Sequence, residues 1–301
     1  MILKKRKTQV IKDSRGDRIF LGIVNTFCVV IVCIIAYPLI YVFSASISSG
    51  EAVMFGKVYF FPVDITLEGY VKVFENKDIL IGFRNSIIYT SLGTAINMIM
   101  TTLIAFPLSR KKLVGRDLFM ILITFTMFFS GGLIPTFLVV ERLRMVDTIW
   151  AMVIPSAIST FYVIIMRTFF MSTIPEELWD SAAMDGCNNF QFLFFIVLPI
   201  STAVLAVLTL YYAVGHWNSY FSALIYLRSK HLLSLQIVLR SILMANQMNH
   251  ESGDAGFTER VLVGLTIKYS VIIISSLPMI LMYPFIQKYF VKGVMVGAVK
   301  G

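Results

Sequence analysis

Residues 19–50 read IFLGIVNTFCVVIVCIIAYPLIYVFSASISSG, 32 consecutive positions without a charged side chain. A helix needs roughly 20 apolar residues to cross about 30 Å of hydrocarbon, so this run is long enough to span a membrane. Its basic lead (Lys4, Lys5, Arg6, Lys7) and Ser44-Ala45-Ser46 would also fit a secretory signal and its cleavage site. The apolar part, 19–43, is well beyond the roughly 7–15 residues of a signal core. It reads as an uncleaved first span.

Five more charge-free runs follow: 85–109, 118–140, 148–166, 192–227 and 269–287. The fifth run of the six holds His216 as its one possible charge and, at 36 residues, is too long for a single helix. Six spans are therefore expected, at 19–43, 85–108, 118–140, 148–167, 192–214 and 269–288, which makes the chain an all-α integral membrane protein. The composition agrees: 57% of the 301 residues are hydrophobic and 14% charged, against about a quarter charged in soluble domains. A soluble enzyme, a disordered chain and a disulfide scaffold are excluded; the three cysteines make no CxxC pair.

The net charge of +9 comes without a basic stripe interleaved with aromatics, so nucleic acid is not an expected partner. Topology accounts for it. With the N-terminus inside, 15 Lys and Arg fall on inner segments and 11 on outer ones. The bias is clearest before residue 19 and in Arg110-Lys111-Lys112, the short segments that set orientation. Both termini are then cytoplasmic, with a basic N-terminus at 1–18, a membrane domain at 19–290 and a tail at 291–301.

As drawn, no span holds Asp, Glu, Lys, Arg or His in its interior. Ion-driven carriers and intramembrane proteases keep ionisable groups there because their chemistry requires them. His216, His231 and His250 stand alone and read as interfacial or loop histidines. No GxxxxGK[ST] phosphate loop occurs. No catalytic residue, metal ligand or cofactor is expected on this chain, and transport against a gradient would draw on a partner's energy.

The inner segment 167–191 is too long for a tight turn. Thr173 with Glu176 fits a capping box, and Glu176 and Glu177 suit a positive helix start. Ile174, Leu178 and Ala182 fall on one face at i, i+4, i+8. Gly186 can take the left-handed turn that ends a helix, and a second helix starts near Phe190. A surface-lying linker helix and a docking knob for a cytoplasmic partner both fit this pattern. On the outer side, Trp217, Tyr220, Phe221 and Tyr226 in 215–268 fit either interface anchors or sugar-stacking faces.

The spacing inside this loop resembles the EAA motif of bacterial ABC-importer permease subunits: EAA, three residues, Gly, nine residues, Ile-x-Leu-Pro. Asp180-Ser181-Ala182, Gly186 and Ile196-Val197-Leu198-Pro199 stand at those positions, with Asp and Ser departing from the first two. The rest of the chain is similar to maltose-importer-like sugar permeases. Tyr37-Pro38-Leu39-Ile40-Tyr41, Phe129 to Pro135 (FSGGLIP), Gly215-His216-Trp217-Asn218 and the ending Lys292-Gly293 to Gly301 resemble the branch for complex-polysaccharide uptake.

The resemblance implies the ABC-importer permease fold, with a cytoplasmic coupling helix in 173–199. It implies a second permease subunit, two ATPases that bind ATP and Mg, and an external sugar-binding protein. Glu177, Leu178, Asp180, Ser181, Ala182, Asp185, Gly186, Ile196, Leu198 and Pro199 would form the ATPase-docking loop. Tyr211, Tyr212, Trp217, Asn218 and Tyr220 are candidates for the substrate path. Gly297, Lys300 and Gly301 belong to a tail that either frays or reaches between the ATPases. The expected activity is ATP-driven import of a carbohydrate, an oligosaccharide in particular, into the cytoplasm.

Overall fold

The computed structural model describes residues 14–249 and 257–298. Helix α1 (Arg15–Ser46) is followed by two short helices, α2 (Gly50–Met54) and α3 (Glu68–Glu75), and by the long α4 (Lys77–Leu108). Next come α5 (Arg116–Phe128), α6 (Leu133–Arg142), α7 (Ile149–Val153), α8 (Thr160–Thr173) and α9 (Glu176–Met184). Then α10 (Asn189–Phe192), a π-helical turn (Leu193–Val197) and α11 (Leu198–Ile200) lead into α12 (Thr202–Trp217). The chain continues with α13 (Tyr220–Tyr226), α14 (Leu235–Asn249) and α15 (Phe257–Ala298). Among the described residues there is no strand, only an isolated bridge between Ser48 and Ile65.

Three of these helices are long and apolar enough to cross a membrane: α1, α4 and the Leu262–Pro284 part of α15. Two further spans result if each bent pair is one, α5 with α6 at 110° and Asn189–Ile200 with α12 at 84°. The first bend falls at Ser130-Gly131-Gly132, where Gly132 takes φ +84°. The expected stretch 148–167 is also interrupted. Pro155 lacks the N–H a helix needs, and residues 154–159 separate α7 from α8.

Breaks of this kind leave backbone groups that lipid cannot hydrogen-bond. Helix α4 supplies one such partner, to the 154–159 break, and others to the 231–235 segment, along a face that holds 85, 89, 93, 97 and 101, an i+4 series. Asn97 Nδ2 donates to Ser156 O at 2.5 Å, and its Oδ1 lies 2.6 Å from His216 Nε2. Asn85 Nδ2 donates to His231 O and Leu233 O, and Tyr89 Oη to Leu232 O. The Leu235 N–H donates to Ser86 Oγ, and Thr101 Oγ1 pairs with Tyr212 Oη at 2.7 Å. Gly93 is required here, because a Cβ would stand 2.4 Å from His216 Nε2.

The expectation of an interfacial His216 is therefore corrected. It is buried on α12 against the middle of α4, because Asn97 needs a second partner to fix its amide. His231 is exposed in a short 3-10 turn (Lys230–Leu232), and His250 lies outside the described residues.

The two ends of the bundle are distinct. At one end Asp147 joins the α6–α7 turn to the segment after α13. Its carboxylate accepts the Arg228 and Ser229 N–H groups at 2.8 and 2.9 Å and the Ser229 hydroxyl. These bonds, the Ser229 hydroxyl first, hold its carboxyl down to about 2. At the same end α2 and α3 pack on the start of α15, where Gly50 and Gly69 admit the backbone of Leu262 and Thr266. The other end carries the 109–115 loop and α9.

Candidate functional site

Helix α9 begins after Pro175, and Thr173 is the last residue of α8. The capping box expected at Thr173 and Glu176 is not formed. Glu176 instead pairs with Lys111, Nζ to Oε2 2.9 Å, and Lys112 pairs with Asp180 at the same distance. The reciprocal capping box occurs one helix later: Asn188 Oδ1 accepts the Gln191 N–H, and Gln191 Oε1 accepts the Asn188 N–H.

The C-terminus of α9 is a Schellman turn. Gly186 takes φ +80°; its N–H donates to Ala183 O and the Cys187 N–H to Ala182 O. The positive φ requires glycine or a strained residue.

One face of α9 is buried. Ile174 and Ala182 belong to a core with Phe106, Phe170, Phe192 and Leu208, and Leu178, Trp179, Ile196 and Leu198 pack against it. Among the docking candidates, Leu178, Ala182, Ile196 and Leu198 thus face the chain's own core and position the loop. Glu177, Asp180, Ser181, Asp185, Gly186 and Pro199 are exposed. Met184, which the sequence reading passed over, is the most exposed large hydrophobic side chain of the helix at 84%.

Arg110 was also missed. Its guanidinium carbon lies 5.1 Å from the Phe106 ring centroid, 4.6 Å from Trp179 and 4.5 Å from Phe192. Nε and Nη2 are buried without a hydrogen-bond partner among the described residues. Burial among these rings lowers the guanidinium from its ordinary value, and the Glu176 carboxylate opposes that shift. The charge is retained and held by three aromatic faces. The run Arg110-Lys111-Lys112 was visible only as a topological charge excess, because its partners are 65 and 68 residues away.

The candidate path residues do not share one environment. Tyr212 is buried on Thr101, and Tyr211 stacks on Tyr162 at 5.8 Å. Trp217 is 3% exposed and donates its indole N–H to Ser275 O at 2.9 Å. Trp217, Asn218 and Tyr220 do meet, at a cavity of about 590 Å³ shared with α14 and α15. Gly297 lies in the last turn of α15; Lys300 and Gly301 lie outside the described residues.

No family model matches the chain. It is 39% identical over 290 residues to the polygalacturonan/rhamnogalacturonan transport system permease protein YtcP of Bacillus subtilis, covering 95% of this chain and 99% of that one. It is 36% identical, with a TM-score of 0.83, to a chain in the crystal structure of a bacterial ABC transporter involved in the import of the acidic polysaccharide alginate, covering 93% of this chain and all of that one. A chain of a bacterial alginate ABC transporter, crystallised with an alginate pentasaccharide-bound periplasmic protein, shares the fold at 13% identity and a TM-score of 0.59, over 93% and 96% of the two chains.

Proposed function

The chain belongs to the permease subunits of bacterial sugar ABC importers, and from that membership we propose that it forms half of an oligosaccharide pathway driven through α9. It is an integral membrane protein and a transport subunit, not an enzyme. The observation that carries the reading is the build of α9. It ends in the Gly186 turn, is anchored along one face, and presents Glu177, Ser181, Met184 and Asp185 outward.

In this reading the N-terminus, the 109–115 loop, α9 and the C-terminal tail are cytoplasmic. The spans are the six stretches expected from sequence, several of them broken. A second permease subunit completes the pathway, two ATPases bind ATP and Mg below it, and an external binding protein delivers sugar. The exposed face of α9 seats in one ATPase. Closure of the ATPases moves α9, and the Arg110 box carries that movement into α4 as a rigid body. The cargo is an oligosaccharide, supported by the polysaccharide importers to which the chain is similar.

The test is purification of the tagged chain from native membranes in mild detergent. Recovery with a related permease and an ATPase is expected. Repeated recovery of the chain alone, with the ATPase unbound, would overturn the docking role.

A further inference from the structure

One cationic side chain lines the cavity at the outer end of α12. Arg240, on α14, places its guanidinium carbon 4.8 Å from the Tyr220 ring centroid. Among the described residues no carboxylate forms an ion pair with it. Gln236 precedes it by one helical turn, so both side chains line the same cavity. Leu239, Met279 and Ile280 give that cavity an apolar wall, and Asn218 lines it too. The volume, about 590 Å³, is in the usual range for small-molecule sites.

We propose that Arg240 reads the carboxylate of an acidic sugar unit, so that this importer selects uronate-containing oligosaccharides. The proposal rests on the oligosaccharide-import reading above. Three features fit such a ligand together. The C–H face of a pyranose suits the apolar wall. Its hydroxyls suit the Gln236 and Asn218 amides. Its carboxylate matches a planar guanidinium, which binds both oxygens at once. The Tyr220 ring face attracts the guanidinium without consuming its N–H groups. Arg240 is exposed and hydrated without a ligand, so a neutral sugar costs it nothing but forms no charge-assisted bond with it. Trp217 is not the stacking platform, because its ring is buried and its N–H is bonded to Ser275 O.

The experiment uses cells carrying the complete importer with its binding protein. Uptake of labelled trigalacturonate is compared with uptake of its fully methyl-esterified form and of maltotriose, for wild type, Arg240→Gln and Arg240→Lys. Wild type is expected to take up trigalacturonate in preference to both neutral probes. Arg240→Gln is expected to lower trigalacturonate uptake by roughly tenfold to a hundredfold, the loss of a charged hydrogen-bonded contact, and Arg240→Lys by less. Complex assembly and basal ATP hydrolysis stay unchanged.

Wild-type uptake of trigalacturonate by Arg240→Gln would overturn the proposal. So would an equal loss for acidic and neutral probes, or a wild type that takes only the neutral ones. In each of these cases the importer reading stands. Failure to take up any of the probes, together with recovery of the chain without an ATPase, would instead remove the importer reading.

Discussion

The guanidinium of Arg110 lies 4.6 Å from the ring of Trp179, joining the loop after α4 to the outward-facing helix α9. Phe106 and Phe192 close the same box. The contact is the more buried link between a helix that would meet a partner and the helix that anchors the bundle; the two ion pairs beside it are exposed.

Removing that link should uncouple the two. Arg110→Ala forfeits cation–π contacts worth about 2 kcal/mol when shielded from water. Stimulation of ATP hydrolysis by loaded binding protein should fall to the basal level while the complex still co-purifies. Lys111→Ala and Lys112→Ala remove exposed ion pairs, each worth below about 1 kcal/mol, and should keep most of the uptake. Equal damage from all three variants would contradict the box as the link.

Gly186 ends α9 in the left-handed region, with an N–H bonded to Ala183 O. Proline cannot supply that N–H or that φ. Gly186→Pro should abolish uptake with membrane insertion intact, and Asp180→Lys, which faces Lys112, should do likewise. Normal uptake by Gly186→Pro would refute the role of the turn.

Gly93 admits the His216 ring where no Cβ fits. Gly93→Ala should lower the thermal stability of the detergent-solubilised protein, and adding His216→Ala should restore part of it. Asn97→Leu leaves the Ser156 carbonyl without its donor and should cost about 1–3 kcal/mol. Additive losses in the Gly93/His216 pair would argue against the contact.

Asp147 titrates well below an ordinary carboxylate. A depressed pKa means its stabilisation is complete above the ordinary value of 3.8 and is lost as pH falls through about 2. Wild type should resist proteolysis after α13 better than Asp147→Asn at neutral pH, and the difference should vanish between about pH 4 and 2. A difference that persists at pH 2 would assign the effect to something other than this charge.

The apolar runs and the positions of Gly186, Leu178 and Ala182 were legible because they rest on local patterns: charge-free length, i+4 spacing and a glycine after a helix. The breaks at Gly131-Gly132 and Pro155 lay in plain view, yet an unbroken hydropathy run concealed them. Asn97 and His216 escaped because uncharged polar residues do not interrupt such a run, and their partners are set by tertiary packing. The capping box was misplaced because Thr173/Glu176 and Asn188/Gln191 carry the same pattern. Pro175 starts α9 too late for Thr173, and Lys111 claims Glu176. Trp217 was legible as an aromatic at a helix end, but not as a residue covered by α15.

The bond from Asn97 to Ser156 spans 59 residues of sequence. While the ribosome is still short of residue 156, the Asn97 amide has no partner that hydrocarbon can offer. Helix α4 is therefore poorly suited to leaving the translocation channel on its own. It should wait at the channel's lateral opening until the segment around Pro155 arrives, so that the two enter the bilayer as a pair. Biogenesis of this subunit is then stepwise by groups of helices, and a chain truncated before residue 154 should leave α4 exposed to membrane quality control.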